Sequence, residues 1–382
     1  MATTTTEDPI PTSMRAWLYT SPSHCRASGL PAALTLSPRA PLPPSSACLS
    51  PTQVLVRVRA ASLNPADHKV PELGPLSRVL VGPPPATPGL DFAGTVVRSG
   101  GGAGFRAGEA VFGRVEAPTR FGALAEYVVA ECCAAYSSPS SLPSSSSSPE
   151  NEEKKEVEAV DFEAYSGIPT AGLTAYQSIA PYVTRGAGDR VFINGGSGGT
   201  GTFGIQVAKA LGCQVTVSCS GAGADLCRSL GADEVIDYGR ADVCASLAAS
   251  AAAADGGGPF ALVVDNVGVS PPGLYAAADG FLRGDGGGTF VQVGGEASLA
   301  GLRVAASRAL LPAFLGGGSR RWVVVVTKNV REDLVQLAEW AREGKVRPVI
   351  DEVFAFEDAP KAFEKLKTKR AKGKIIVRVS DK

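Results

Sequence analysis

The stretch from Arg190 to Gly212 constrains this chain more than any other. A short apolar run, Arg190 to Asn194, leads directly into Gly195-Gly196-Ser197-Gly198-Gly199-Thr200-Gly201. A segment follows in which Phe203, Val207 and Leu211 recur at helical spacing. Gly196, Gly198 and Gly201 satisfy G-x-G-x-x-G, a pattern that is weak alone and informative between a strand and an amphipathic helix. The first glycine permits the tight turn, the second lets backbone N–H groups approach a pyrophosphate, and the third packs helix on sheet. The helix then meets the diphosphate with the partial positive charge of its N-terminus. Gly196, Ser197, Gly198, Gly199, Thr200 and Gly201 therefore form a candidate dinucleotide site.

Further apolar runs follow at intervals that leave room for helices: 214–218, 234–237, 261–265, 289–293 and 322–326. With 190–194 they predict a doubly wound, parallel, six-stranded sheet of the Rossmann type. A site selective for NADH presents Asp or Glu roughly 20 residues past the motif, to bind the adenosine ribose 2′-hydroxyl. Here the sequence reads Ser218-Cys219-Ser220-Gly221, and the first acid, Asp225, lies in the next helix. A missing carboxylate removes repulsion toward a 2′-phosphate, so NADPH is expected ahead of NADH. The nearest cation is Arg228.

The first part of the chain has a different texture. Residues 53–61 alternate, with Val54, Val56 and Val58 on one face and Leu55, Arg57 and Arg59 on the other, as in a half-exposed antiparallel strand. Short strands are expected at 94–98, 109–112 and 124–129, between Gly-rich and Pro-rich turns. Residues 137–158, with a serine run and then Glu and Lys, are too polar to order themselves and read as a disordered surface insertion. The helix expected at 333–343 closes the Rossmann part, and the last strands alternate again. The expected organisation is a β-rich domain over 1–166, a cofactor-binding domain over 167–344, and a return to the first domain over 345–382.

Lys plus Arg and Asp plus Glu number 37 each, so no sequence-wide field attracts nucleic acid or an anionic membrane. The N-terminus lacks the features of a secretory signal, and no apolar run is long enough to cross a bilayer. A cytoplasmic protein is expected. Its eight cysteines form no C-x-x-C pair and read as reduced thiols. The run Val323–Val326 fits either a dimer-interface strand or a buried central strand, so a homodimer is one expectation.

Several segments resemble the zinc-independent quinone oxidoreductase-like members of the medium-chain dehydrogenase/reductase superfamily, fungal ones in particular. They are SLNPADHK (62–69), PGLDFAGTVV (88–97), PTAGLTAY (169–176), VFINGGSGGTGTFGIQVAKALG (191–212), LGADEVIDY (230–238) and KGKIIV (372–377). The resemblance runs in order along nearly the whole chain. It implies an α/β fold in which a GroES-like β-rich catalytic domain is interrupted by the Rossmann domain, with substrate and nicotinamide meeting in the cleft. It places Asn64 near the nicotinamide and Thr174 at the cleft, both as candidate catalytic residues. Gly198, Gly199 and Thr200 fall at the diphosphate, Ser218, Ser220 and Tyr238 around the 2′-phosphate, and Asp265, Val267, Val293 and Gly294 on the nicotinamide side. Some members carry a Lys where this chain has Gly223.

Catalytic zinc in the related alcohol dehydrogenases needs an early Cys and a later Gly-His-Glu. This chain has Asn64 and Gly89-Leu90-Asp91-Phe92 there, and its only histidines are His24 and His68. No metal is expected, and His68 reads as a surface or supporting residue. Without zinc to polarise an isolated ketone, an activated acceptor is the better substrate: a quinone or an α,β-unsaturated carbonyl. Two alternatives stand beside this zinc-free NADPH-dependent reductase: a non-catalytic NADPH-binding redox sensor, and an enoyl reductase acting in trans with a polyketide or fatty-acid assembly line.

Overall fold

Fifteen strands organise the described residues, which in this computed structural model are 10–135, 160–253, 257–268, 273–284, 286–293 and 320–380. In chain order they are β1 (Ser13–Tyr19), β2 (Leu34–Pro41), β3 (Val54–Leu63), β4 (Asp91–Ser99), β5 (Ala110–Arg114), β6 (Tyr127–Ala130), β7 (Cys132–Ala135), β8 (Arg190–Asn194), β9 (Gln214–Cys219), β10 (Glu234–Asp237), β11 (Leu262–Asp265), β12 (Thr289–Gln292), β13 (Arg321–Val324), β14 (Ile350–Ala355) and β15 (Lys374–Arg378). The insertion expected at 137–158 and Gly294 lie outside the described residues.

The chain divides into two units. The first comprises Met1–Thr170, Asn329–Gly344 and Ile350–Lys382. Its main sheet runs β14-β15-β3-β4-β5-β7, with β6 also paired to β3, and β1 and β2 form a separate antiparallel pair. The tail re-enters this sheet, since β15 pairs antiparallel with β3. Strand β3 departs from the half-exposed expectation. Val54, Val56 and Val58 enter the main core, while Leu55 is fully buried on the other face among Met14, Ala16, Ala40 and Tyr127. Residues from β1, β2 and β6 cover the face that alternation alone assigns to water. The helix Arg331–Arg342, expected with the Rossmann part, belongs to this unit instead. It packs on β7, with Leu334, Leu337 and Trp340 buried. An amphipathic stripe specifies that it must be covered, not which sheet covers it.

The second unit comprises Ala171–Lys328 and Lys345–Val349. All six strands expected from the apolar runs form one parallel sheet in the order β10-β9-β8-β11-β12-β13. The chain starts at β8, builds outward to β10, then crosses back to β11, which puts the topological switch between β8 and β11. In open α/β sheets ligands bind outside the carboxyl ends of the strands at such a point. One side is packed by Phe192, Phe260, Phe281 and Phe290. Phe260 meets both Phe192 and Phe281 edge-on at 6.4 Å, a geometry worth ~0.5–1.5 kcal/mol per pair beyond area burial. The run around Val323–Val326 is an edge rather than a central strand: β13 ends the sheet, and Val324 and Val326 are exposed.

Candidate functional site

In the second unit the glycine-rich turn sits where β8 ends. Gly195 has φ +81, a conformation that L side chains rarely adopt. Its N–H and that of Gly196 both donate to the Ser218 carbonyl, at 3.1 and 2.9 Å, tying the turn to β9. The helix Gly199–Ala210 begins after Gly198, whose backbone is extended, and no side chain caps it. The first N–H groups of a helix have no intrahelical partner, so an uncapped start suits an anion. The glycines divide by what surrounds them. A Cβ at Gly201 would stand 2.1 Å from the Gly195 carbonyl oxygen, whereas one at Gly198 would meet nothing closer than 3.6 Å. Gly201 is demanded by the protein's own packing, whereas a Cβ at Gly198 would make only an ordinary contact with the Gly195 carbonyl oxygen.

Three strand ends support that turn through a buried hydrogen-bonded chain. Ser218 Oγ donates to Asn194 Oδ1 at 2.6 Å, and Asn194 Nδ2 donates to Asp265 Oδ1 at 2.8 Å. Asp265 Oδ1 also accepts from the N–H groups of Val267 and Gly268, at 3.0 and 2.8 Å. The Val293 N–H donates to the Asp265 carbonyl at 2.9 Å. Asp265, Val267 and Val293 are thus gathered at one end of the sheet, with Val267 half exposed. The expectation for Ser218 needs correcting: its side chain is fully buried and spent on Asn194, so it holds the turn rather than facing a phosphate. Asn194 escaped the sequence reading, although a polar residue closing each of three apolar strands is a visible signal.

Ser220 and Tyr238 remain at the surface of this region. Ser220 is half-buried and Tyr238 is 58% exposed at the end of β10. A Cβ at Gly223 would fall 2.7 Å from the Ser197 side chain, so any side chain there would crowd the turn. Arg228 is paired with Asp225 at 3.0 Å. Arg240, two residues after Tyr238, lies 3.6 Å from Asp237. Thr174 is buried, with its Oγ1 2.5 Å from Thr327 Oγ1.

Asn64 belongs to the first unit, at the end of β3. The strand registers Ser62↔Asp91 and Leu63↔Ile375 put it between the starts of β4 and β15. Its Nδ2 donates to Asp91 Oδ2 at 2.9 Å, and its Oδ1 accepts from Lys374 Nζ at 2.6 Å. Lys374 Nζ also donates to the Leu63 carbonyl at 3.1 Å and lies 3.7 Å from Asp91 Oδ2. The pair is nearly sealed, at 3% and 0% side-chain exposure. Burial lowers the lysine's affinity for its proton, and the Asp91 and Asp67 carboxylates act against that. Asp91 Oδ1 is held in turn by the Thr170 N–H at 3.0 Å and hydroxyl at 2.5 Å. Asp67 accepts from the Asn64 N–H at 2.6 Å. Burial first, then repulsion from Asp91, pushes its carboxyl up to about 7. His68, on the same short helix, lies 3.3 Å from Glu72, with burial disfavouring its charged form. Among the described residues no group of three or more His, Cys, Asp or Glu side chains could hold a metal, and no helix is long and apolar enough to cross a membrane.

Comparison with known proteins adds family and relatives. Residues 50–139 match the alcohol dehydrogenase GroES-like domain and residues 230–377 match the zinc-binding dehydrogenase family. The trans-enoyl reductase pgmF of Aspergillus terreus is 44% identical over 383 residues, covering 97% of this chain and 98% of that protein. The mitochondrial NAD(P)H oxidoreductase RTN4IP1 of Homo sapiens is 31% identical, covering 86% and 82% respectively. Among solved structures, the quinone oxidoreductase from Coxiella burnetii superposes with a TM-score of 0.74 at 26% identity, over 96% of this chain and 100% of that one.

Proposed function

The chain belongs to the medium-chain dehydrogenase/reductase superfamily, and from that premise we propose that it is a zinc-free, NADPH-preferring reductase of quinones or carbonyl-conjugated double bonds. It is an oxidoreductase with a nicotinamide cofactor and a small-molecule substrate. When bound, that cofactor supplies the hydride. The uncrowded position of Gly198, the uncapped helix and the gathered Asp265, Val267 and Val293 backbone are the parts that would hold it.

The observation that carries the zinc-free reading is the lysine at Asn64. Metal sites need donors free to face a cation, yet here the Asn64 oxygen and the Asp91 carboxylate already face a buried ammonium. Two unit charges about 4 Å apart repel by about 4 kcal/mol at an effective dielectric of 20, and a divalent ion would double that. The chain's remaining electrophilic help is hydrogen bonding, which suffices for an enolate or quinol oxygen and serves an isolated ketone poorly. Ser220, Tyr238 and Arg240 support the NADPH preference, with Arg240 offsetting the charge of Asp237. A reducing compartment such as the cytosol suits the eight unpaired cysteines, and the place of β13 as the last strand of its sheet among the described residues suits a homodimer.

Transfer from cofactor carrying deuterium at the reactive C4 position tests the reaction. Deuterium at the β-carbon of a reduced enone is expected, and deuterium at a carbinol carbon would contradict the proposal. The similarity to a protein named trans-enoyl reductase favours a second reading, in which the double bond belongs to an enoyl thioester. A kcat/KM at least tenfold higher for short enoyl thioesters than for matching enones would select it.

A further inference from the structure

We propose that Lys374 and Asp91 are positioning residues for the reduction: as a buried ion pair they grip both ends of the Asn64 side-chain amide and leave one amide N–H as a fixed donor for the substrate's carbonyl oxygen. This rests on the reductase reading above. Asn64 is 4% exposed, and its oxygen takes the Lys374 ammonium at 2.6 Å. One of its two Nδ2 protons goes to Asp91 at 2.9 Å, and no described residue accepts the other. A nearly buried amide with one donor unspent is costly unless a ligand uses it. The grip is itself anchored. Lys374 is held by the Leu63 carbonyl, and Asp91 by Ser62 at 3.3 Å and by Thr170 through two bonds. Strand register supplies the placement, because β15, β3 and β4 are neighbours and Lys374, Asn64 and Asp91 lie at their adjoining ends. A purely structural joint at this point would need no charges, since apolar side chains serve a buried strand end at least as well as an ion pair.

The test is a double-mutant cycle on the full chain, comparing wild type, N64A, K374M and N64A/K374M. K374M is expected to lower kcat at least tenfold while NADPH affinity stays within twofold. In the N64A background the same change should cost less than twofold, because Lys374 acts through Asn64. Independent, multiplying losses, or an unchanged kcat in K374M, would overturn the proposal. D91N, with its melting transition recorded to show a folded chain, needs no turnover. Proton exchange of the Asn64 side-chain amide, followed by NMR, should quicken at least tenfold in D91N if Asp91 holds that group. Unaltered exchange overturns the grip. A wild-type chain that reduces no quinone, enone or enoyl thioester sinks the reductase reading instead, leaving the NMR result to judge the grip alone.

Discussion

Asp67 Oδ1 is buried and accepts no hydrogen bond from any described residue, an arrangement that fits a carboxyl holding its proton near neutrality. Linkage gives the sign. The unfolded chain releases this proton near the ordinary carboxyl value of 3.8 and the folded chain near 7, so between those values the unfolded state binds fewer protons. The contribution of Asp67 to stability therefore falls as pH rises through that window and levels off above it. Denaturant unfolding of wild type and D67N should show their stability difference changing between about pH 4 and pH 7 and constant above; a difference independent of pH contradicts the assignment. At the cofactor end, R240A should weaken NADPH binding roughly tenfold, the size of a lost charge-assisted bond. NADH affinity should stay within about twofold, as fluorescence titration can check. Residue types were legible here and partnerships were not. Asn64 stood out by resemblance, but its lysine lies 310 residues away in sequence. Ser218 had the right chemistry for a phosphate and proved to be turned inward, which no local pattern reveals.

The glycine-rich turn makes contrasting demands on two of its members. In G201A the added methyl would press on backbone that cannot step aside, at a cost of ~1–3 kcal/mol or more. In G198A the methyl would make only an ordinary contact with the Gly195 carbonyl oxygen, so the melting temperature should hold while NADPH affinity drops at least about tenfold. Loss of stability in G198A with affinity intact would contradict its place in the cofactor site. Elements of the second unit were the most legible, because all six strands read as apolar runs and the central β8, β9, β11 and β12 are buried almost throughout. Strand β3 misled by its alternation, since the surface covering Leu55 comes from β1, β2 and β6. The helix Arg331–Arg342 was correctly expected as a helix and differently located, because its stripe does not name its partner.

At the scale of the whole molecule, β13 is the last strand of its sheet among the described residues, with Val324 exposed. Such edges invite pairing with a second copy. Sedimentation should show a dimer that V324K dissociates; a monomeric wild type contradicts the proposal. Hydride transfer without a metal is the property on which the proposed function turns. The most direct measurement is NADPH oxidation by chelator-treated protein against a panel of quinones, enones and enoyl thioesters, with NADH in parallel. NADPH-selective turnover that added zinc does not raise is expected. Tight NADPH binding without turnover of any acceptor, or activity recovered only on adding zinc, would contradict it.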